Sequence, residues 1–277
     1  MILEPKSINL SDSHVMAIVN LTPDSFYSGS RNSDFESAVS AVERATREGA
    51  TIVDIGGYSS RPGADDVSTE EEWRRVCMGL EAVKRVDAGV VVSIDTFRAE
   101  IVRRAVDAYG DIIVNDISAG EIDPEMVPTV ARYGLYYVAM HMRGTPRTMQ
   151  QLTTYDSGVT EGVARYFRHR IMELRREGVA RDKIILDPGF GFAKSAQQNF
   201  ELLRGLDRIR ELGYPLLVGL SRKSMIYRSL DITPEESLPG SLALAWQVLQ
   251  GGNAILRVHD VAATSQVLRL SNIYNDR

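Results

Sequence analysis

The sequence predicts an α/β protein, a single-domain (β/α)8 TIM barrel over residues 1–277. Short apolar runs rich in β-branched residues recur along the whole chain. Each ends in a polar or Gly-rich turn and is followed by an amphipathic stretch with helical spacing. That alternation gives parallel strands covered on both faces by helices. About eight such units are present, the number that closes a barrel. The residues that end the runs are polar, as expected at the carboxyl edge of such strands, where ligands bind. An open doubly wound sheet is the alternative, but the G-x-G-x-x-G it would carry after its first strand is missing.

The elements follow in order. Residues 1–12 read as a short leader without a core of its own. A compact apolar run over 15–19 ends at Asn20, and Leu21-Thr22-Pro23-Asp24-Ser25 makes a turn-rich loop. Residues 35–48 have helical spacing, with Phe35, Val39, Val42 and Ala45 on one side. The second unit is a run over 52–55, a Gly-rich loop from Gly56 to Gly63 and an amphipathic helix over 70–86. The third is 90–94, ending in Asp95-Thr96, with a helix over 99–108. The fourth is 112–114, ending in Asn115-Asp116, with a short helix from about Pro124 to Tyr133. The fifth run, 135–140, ends in His141; a polar loop and a helix over 159–177 follow, stopped by Gly178. Then come 184–186 with a helix over 198–212, 216–219 with a helix ending at Leu249, and 254–258 with a closing helix over 261–270.

One stretch organises the rest. In 184–194 a buried-looking strand, Ile-Ile-Leu, stops at Asp187 and a Gly-rich loop follows through Lys194. Asp187 is then a general acid/base, an acceptor for a polar ring, part of a phosphate site, or a simple cap of the next helix.

Composition narrows the function classes. The formal net charge is -5 and no basic stripe is present, which argues against a nucleic-acid partner. The single cysteine, Cys77, excludes an internal disulfide and suits a reducing compartment. No signal-like or bilayer-length apolar segment is apparent, so the expectation is a cytoplasmic chain without a membrane partner.

The run ends collect Asn20, Asp54, Asp95, Asn115, Asp116, His141, Asp187, Lys223, Arg257 and His259. Helix capping explains Asp and Asn but not Lys223, Arg257 or His259, so the set reads as a ring facing one mouth. Asp95, Asn115 and Asp187 suit a flat heterocycle with several N–H groups, and Lys223 a carbonyl or anion. Arg257 can stack on a ring or grip phosphate through its planar fork. Arg61, Arg257 and His259 could together hold a diphosphate. Asn20 offers a neutral oxygen to Mg²⁺, which needs few protein ligands beside phosphate and water; the alternative is an Asx turn before Pro23. Scattered histidines argue against zinc, and the absence of G-x-S-x-G argues against a serine hydrolase. His141 reads as a hydrogen-bonded residue of the mouth, and Asp54 receives no role.

These residues carry a resemblance. Met16-Ala17-Ile18-Val19-Asn20-Leu21-Thr22-Pro23-Asp24-Ser25-Phe26 and Asp54-Ile55-Gly56-Gly57-Tyr58-Ser59-Ser60-Arg61-Pro62-Gly63 resemble the first two signatures of the dihydropteroate synthase family. Ser93–Thr96, Asn115–Ile117, Met140–Met142 with Gly144-Thr145-Pro146, Asp187–Lys194, Ser221–Ser224 and Arg257–Val261 follow in the family's order. The resemblance implies a transferase that joins a dihydropterin diphosphate to p-aminobenzoate through a pterin methylene cation, releasing pyrophosphate. Asp95, Asn115, Asp187, Lys223 and Arg257 would be the catalytic set. Ile117, Met140, Phe192 and Gly219 would complete the pterin pocket. Phe26, Ser60, Pro62, Phe192, Lys223 and Ser224 would shape the p-aminobenzoate site. Asn20, Arg61, Arg257 and His259 would hold the diphosphate, with Mg²⁺ at Asn20, and a homodimer is implied.

The chain departs from the family at Ser60, where Thr is usual, at Ala193, where Gly is usual, and at Tyr58 and Met225. Ala193 would be strained if its φ were positive. A pterin-binding methyltransferase domain and a non-catalytic pterin-binding barrel are the other readings. Neither has a use for the Asn20 and Arg61 loops.

Overall fold

The computed structural model describes residues 8–21, 31–58, 66–86, 89–145 and 148–276. Its first half runs β1 (His14–Asn20), α1 (Arg31–Arg47), β2 (Ile52–Gly56), α2 (Thr69–Val86), β3 (Val91–Asp95), α3 (Ala99–Tyr109), β4 (Ile113–Asp116) and α4 (Met126–Tyr133). The second half runs β5 (Tyr136–Met140), α5 (Val159–Arg176), β6 (Ile184–Asp187), α6 (Ala196–Arg204), α7 (Asp207–Arg210), β7 (Leu217–Val218), α8 (Ser224–Leu230), α9 (Leu238–Gln250), β8 (Ile255–Val258) and α10 (Val261–Tyr274).

The strands form one parallel eight-stranded sheet in the order β6-β5-β4-β3-β2-β1-β8-β7. Its two ends meet: Leu186 bridges Leu216 in parallel, and the Leu186 N–H donates to the Pro215 carbonyl at 2.9 Å. The sheet is therefore a closed (β/α)8 barrel and not an open one. Among the described residues, no helix is long and apolar enough to cross a membrane.

Strand side chains alternate between the two faces, and the core divides accordingly. The outward set, including Val53, Ile55, Val92, Ile94, Val114, Tyr137 and Leu186, packs under the helices. The inward set forms a separate cluster of Met16, Ile52, Ile113, Val138, Ile185, Leu217 and Ile255, with Val91 against it. One apolar residue from each strand thus fills the barrel like a floor.

Ile8 and Leu10 pack on this cluster, and Ile8 is only 8% exposed. The leader has no core of its own, as expected, but its described part, residues 8–12, packs on the inward layer at the amino end of the barrel; residues 1–7 lie outside the described residues.

Two helical expectations also change, and one helix was not anticipated. The stretch 198–212 is two helices broken at Gly205, where an added Cβ would come within 2.6 Å of Thr160. The short helix α8 has too few turns to show a period, yet buries Met225 and Ile226. The last helix continues to Tyr274 rather than ending at 270.

Truncating Ile8→Ala should lower the unfolding free energy by about 2–4 kcal/mol, as for other large-to-small changes at a buried site. Urea denaturation checks this, and a midpoint equal to that of the native chain would show that the segment does not seal the barrel.

Candidate functional site

Moving two residues along each strand from the apolar floor keeps the side chain pointing inward. From Met16 this leads to Ile18 and Asn20, from Ile52 to Asp54, from Val91 to Ser93 and Asp95, and from Ile113 to Asn115 and Ile117. From Val138 it leads to Met140, from Ile185 to Asp187, from Leu217 to Gly219, and from Ile255 to Arg257 and His259. The layer above the floor is mostly polar, and it holds the majority of the residues that the sequence singled out.

Arg257 lies at its centre. Its Nε donates to Asp54 Oδ2 at 2.6 Å and its Nη2 to Asp95 Oδ2 at 2.6 Å. Asp54, fully buried, also accepts from Ser93 Oγ at 2.6 Å and from Asn115 Nδ2 at 3.0 Å. Burial opposes the Arg257 charge, but the two carboxylates outweigh it and raise its pKa above the ordinary value. Burial raises Asp95 to about 7, although Arg257 opposes the shift.

Across the mouth, Asp187 is 7% exposed and burial raises its pKa, while the Gly189 N–H donates to its Oδ1 at 2.8 Å and opposes the rise. Lys223 precedes α8, and its ammonium lies 4.7 Å from the centre of the Phe192 ring. Burial lowers Lys223 to about 8, with Asp187 pulling the other way.

An apolar wall flanks these charges, made of Ile117, Met140, Met142, Met149 and Ala193 with Phe97 and Phe192. Ala193 has φ +52°, a left-handed conformation that costs a residue with a Cβ about 1–2 kcal/mol. Its carbonyl is held by Tyr155 Oη at 3.1 Å and its methyl is fully buried, which keeps it there.

On the β1–β8 side, Asn20 and His259 stand at the ends of paired strands. A Cβ added to Gly56 would lie 2.8 Å from Asn20 Oδ1, so a residue with no side chain leaves that oxygen its place. The His259 ring accepts from or donates to Ser221 Oγ at 3.1 Å, and the His259 N–H donates to the same oxygen. Loss of water around the ring, then Arg257 and Arg222, lower His259 to about 4, although the residue keeps an exposed face. Ser224 opens α8 beside Lys223, and Gly219 lies below Arg257 with its missing Cβ 4.0 Å from the Arg257 Cβ.

Two members of the expected ring face elsewhere. Asp116 follows an inward residue and so points outward. It accepts from the Ser118 N–H and Oγ, the Gly120 N–H and the Tyr137 hydroxyl, and holds the turn after β4. His141 likewise follows inward Met140; it is 2% exposed and packs edge-on against Tyr166, behind the mouth. Phe26, Ser60, Arg61 and Pro62 lie outside the described residues, as do most of the two loops that carry them.

Sequence reasoning placed Asp54 in the ring without a role and passed over Lys194. Asp54 was legible by counting two along from Ile52. Lys194, 3% exposed with its ammonium fully hydrogen-bonded, carries no sequence signal beyond its place at the end of a Gly-rich loop.

Fold and mouth together define a (β/α)8 barrel whose binding layer sits at the carboxyl ends of its strands. The profile of the pterin binding enzyme family matches residues 16–259, and the chain belongs to that family. It is 43% identical over 265 residues to the dihydropteroate synthase of Escherichia coli K12, covering 95% of this chain and 92% of that one. Among solved structures it is similar to Yersinia pestis dihydropteroate synthase with a sulfonamide drug complex (TM-score 0.89, 37% identity, 98% of this chain and 97% of that one). It is also similar to the Xanthomonas albilineans enzyme with 4-aminobenzoic acid (TM-score 0.88, 39% identity, 98% and 96%).

Asp54→Asn leaves at least one of three donors, Ser93, Asn115 and Arg257, without its acceptor and removes a charge partner of Arg257. A loss of about 3–5 kcal/mol in unfolding free energy is expected, as when one member of a buried ion pair is removed. Denaturant titration measures it; a loss below about 1 kcal/mol would mean that the pair behaves like a surface contact.

Proposed function

We propose that the chain is a transferase that condenses 6-hydroxymethyl-7,8-dihydropterin diphosphate with p-aminobenzoate to give 7,8-dihydropteroate and pyrophosphate. The observation that carries this reading is the inward layer: Asp95, Asn115, Asp187, Lys223 and Arg257 converge above an apolar floor, in a chain of the pterin binding family. The relatives named dihydropteroate synthase over nearly the whole chain support it.

In this reading the pterin ring enters edge first. The carboxylates of Asp95 and Asp187 and the amide of Asn115 receive its N–H groups, and Lys223 donates to its carbonyl. Ile117, Met140 and Phe192 pack on the ring, Gly219 leaves space for it, and Arg257 covers one face. Arg61, Arg257 and His259 hold the diphosphate. Phe192, Lys223 and Ser224, with Phe26, Ser60 and Pro62, receive the p-aminobenzoate.

The bond between the pterin methylene and the diphosphate oxygen breaks, and its electron pair leaves with pyrophosphate. The arylamine nitrogen then attacks the methylene cation and gives up a proton to solvent. Asp95 and Asp187 favour the cation electrostatically, and the cationic side chains favour the departing anion. An arylamine sheds its proton readily after attack, so no strong base is required.

Mg²⁺ fits this site as a partner of the diphosphate. Among the described residues no three His, Cys, Asp or Glu side chains gather to hold a metal. A single neutral oxygen, Asn20 Oδ1, stands where Mg²⁺ could take most of its ligands from phosphate and water. When bound, the ion neutralises charge on the leaving group.

A homodimer belongs to the same proposal, supported by the exposed Leu270, Ile273 and Tyr274 along one side of α10. A cytoplasmic location rests on the unpaired Cys77.

Pyrophosphate release from the pterin diphosphate, measured with and without p-aminobenzoate, tests the activity. Amine-dependent release with Mg²⁺ present is expected; no amine-dependent product would overturn the reading. Chelating the metal should lower turnover and leave the affinity for a phosphate-free dihydropterin unchanged.

The Asp95 and Lys223 shifts set a pH window for binding to the free protein. As pH falls through about 7, Asp95 takes a proton and loses an acceptor. As pH rises through about 8, Lys223 loses its charge. Dihydropterin affinity measured by titration should peak between these values, and Asp95→Asn should flatten the acidic limb. Asp187→Ala should weaken that affinity about 10–100-fold, the size of a lost charged hydrogen bond, whereas Arg61→Ala should chiefly lower kcat. Unchanged binding or unchanged turnover would remove the respective assignment.

A further inference from the structure

The turn after β6 is held from behind by a residue that does not face the mouth. Lys194 is 3% exposed, and its ammonium lies 2.9 Å from the Gly189 carbonyl, 2.9 Å from the Phe192 carbonyl and 3.0 Å from His141 Nδ1. An ammonium has three hydrogens, so all are committed and none is left for a substrate. When Lys194 is charged its ammonium can only donate to Nδ1, and the neutral His141 ring then carries its proton on Nε2. Burial and the Lys194 charge both push the His141 pKa well down, in agreement.

His141 is itself fixed. Its N–H donates to the Asp187 carbonyl at 2.9 Å, and its ring packs 4.9 Å from that of Tyr166. Gly189 passes so close that a Cβ there would lie 2.0 Å from the His141 carbonyl oxygen. Only glycine permits this approach, which brings the Gly189 carbonyl within reach of the ammonium.

We propose that Lys194 is a positioning residue for the transferase reaction: with His141 it clips the ends of β5 and β6 together and sets the turn 188–193, through which the Asp187 carboxylate and the Phe192 ring take their places in the mouth. This rests on the function proposed above. The connection is direct on both sides. The Gly189 N–H orients the Asp187 carboxylate at 2.8 Å, and the Phe192 ring sits 4.7 Å from the Lys223 ammonium. The Phe192 N–H donates to the Gly189 carbonyl that Lys194 holds, and the Gly191 N–H donates to Asn199 Oδ1. Charge adds to geometry. Burial lowers Lys194 to about 7 while Asp187 pulls the other way, so below that pH a cation stands behind Asp187 besides Lys223 and Arg257.

Lys194→Met keeps the length of the chain and removes every donor. Dihydropterin Kd, titrated directly, should rise at least about 10-fold, the loss of more than one charged hydrogen bond. The KM for p-aminobenzoate should rise with it, and kcat should fall far less because the groups that hold the diphosphate are untouched. Amide exchange at Gly189, Gly191 and Phe192 should accelerate. His141→Phe should reproduce part of both effects, and His141→Gln, which restores an acceptor, should recover most of the binding.

A merely structural lysine would lower Tm and leave Kd per folded molecule and the Kd pattern of the two His141 variants unchanged; that result overturns the proposal, as does unaltered exchange in Lys194→Met. If Lys194→Met does not fold, the His141 pair decides by the same readouts. The exchange measurement and the direct titration need no turnover, so failure of the condensation assay and failure of this inference are separately visible.

Discussion

The two-residue alternation of a barrel strand governs this molecule. Each strand gives one inward side chain to the apolar floor, and the next inward position is therefore fixed in height and direction without any further signal. That position is Asp54, Ser93, Asn115, Met140, Asp187, Gly219 or Arg257 in seven of the strands. Helices, floor and outer core all serve to hold this layer, whose members come from distant parts of the chain.

A layer with so many buried ionisable groups has to satisfy itself before any ligand arrives. Asp54 does most of this, accepting from Ser93, Asn115 and Arg257 at once. Arg257 in turn occupies Asp95. In the proposed reaction, Asp95 exchanges the Arg257 guanidinium for ring N–H groups, while Asp54 keeps its hold on Arg257. The buried Asp54 is thus the fixed end of the pair and Asp95 the exchangeable one. On the far side Lys194 plays a comparable part for Asp187, from a place no ligand reaches.

Much of this was legible in the sequence. Continuous apolar runs and helical spacing marked the order of strands and helices, and the polar run ends marked the mouth. The failures have a common cause. Run ends were read without their parity, so Asp116 and His141, one residue beyond inward positions, were grouped with residues that face the opposite way. The same counting shows that Asp54, placed in the ring without a role, faces the mouth. Lys194 was beyond any local pattern, because its role depends on a carbonyl exposed by the close passage of Gly189 over His141. Ile8 was missed because the surface it covers is assembled from all around the barrel.

The closing joint of the barrel also has a consequence for its ligand. β7 is only two residues long, and β6 meets it through a single bridge at Leu186 and Leu216. Asp187 lies on one side of this seam, and Gly219 and Lys223 on the other. A molecule bound to both is a rivet across the weakest line of the cylinder, and its free energy of binding resists the parting of the two edges as well as its own escape. Occupancy of the mouth and integrity of the wall are then linked, and a bound substrate reinforces the seam that closes around it.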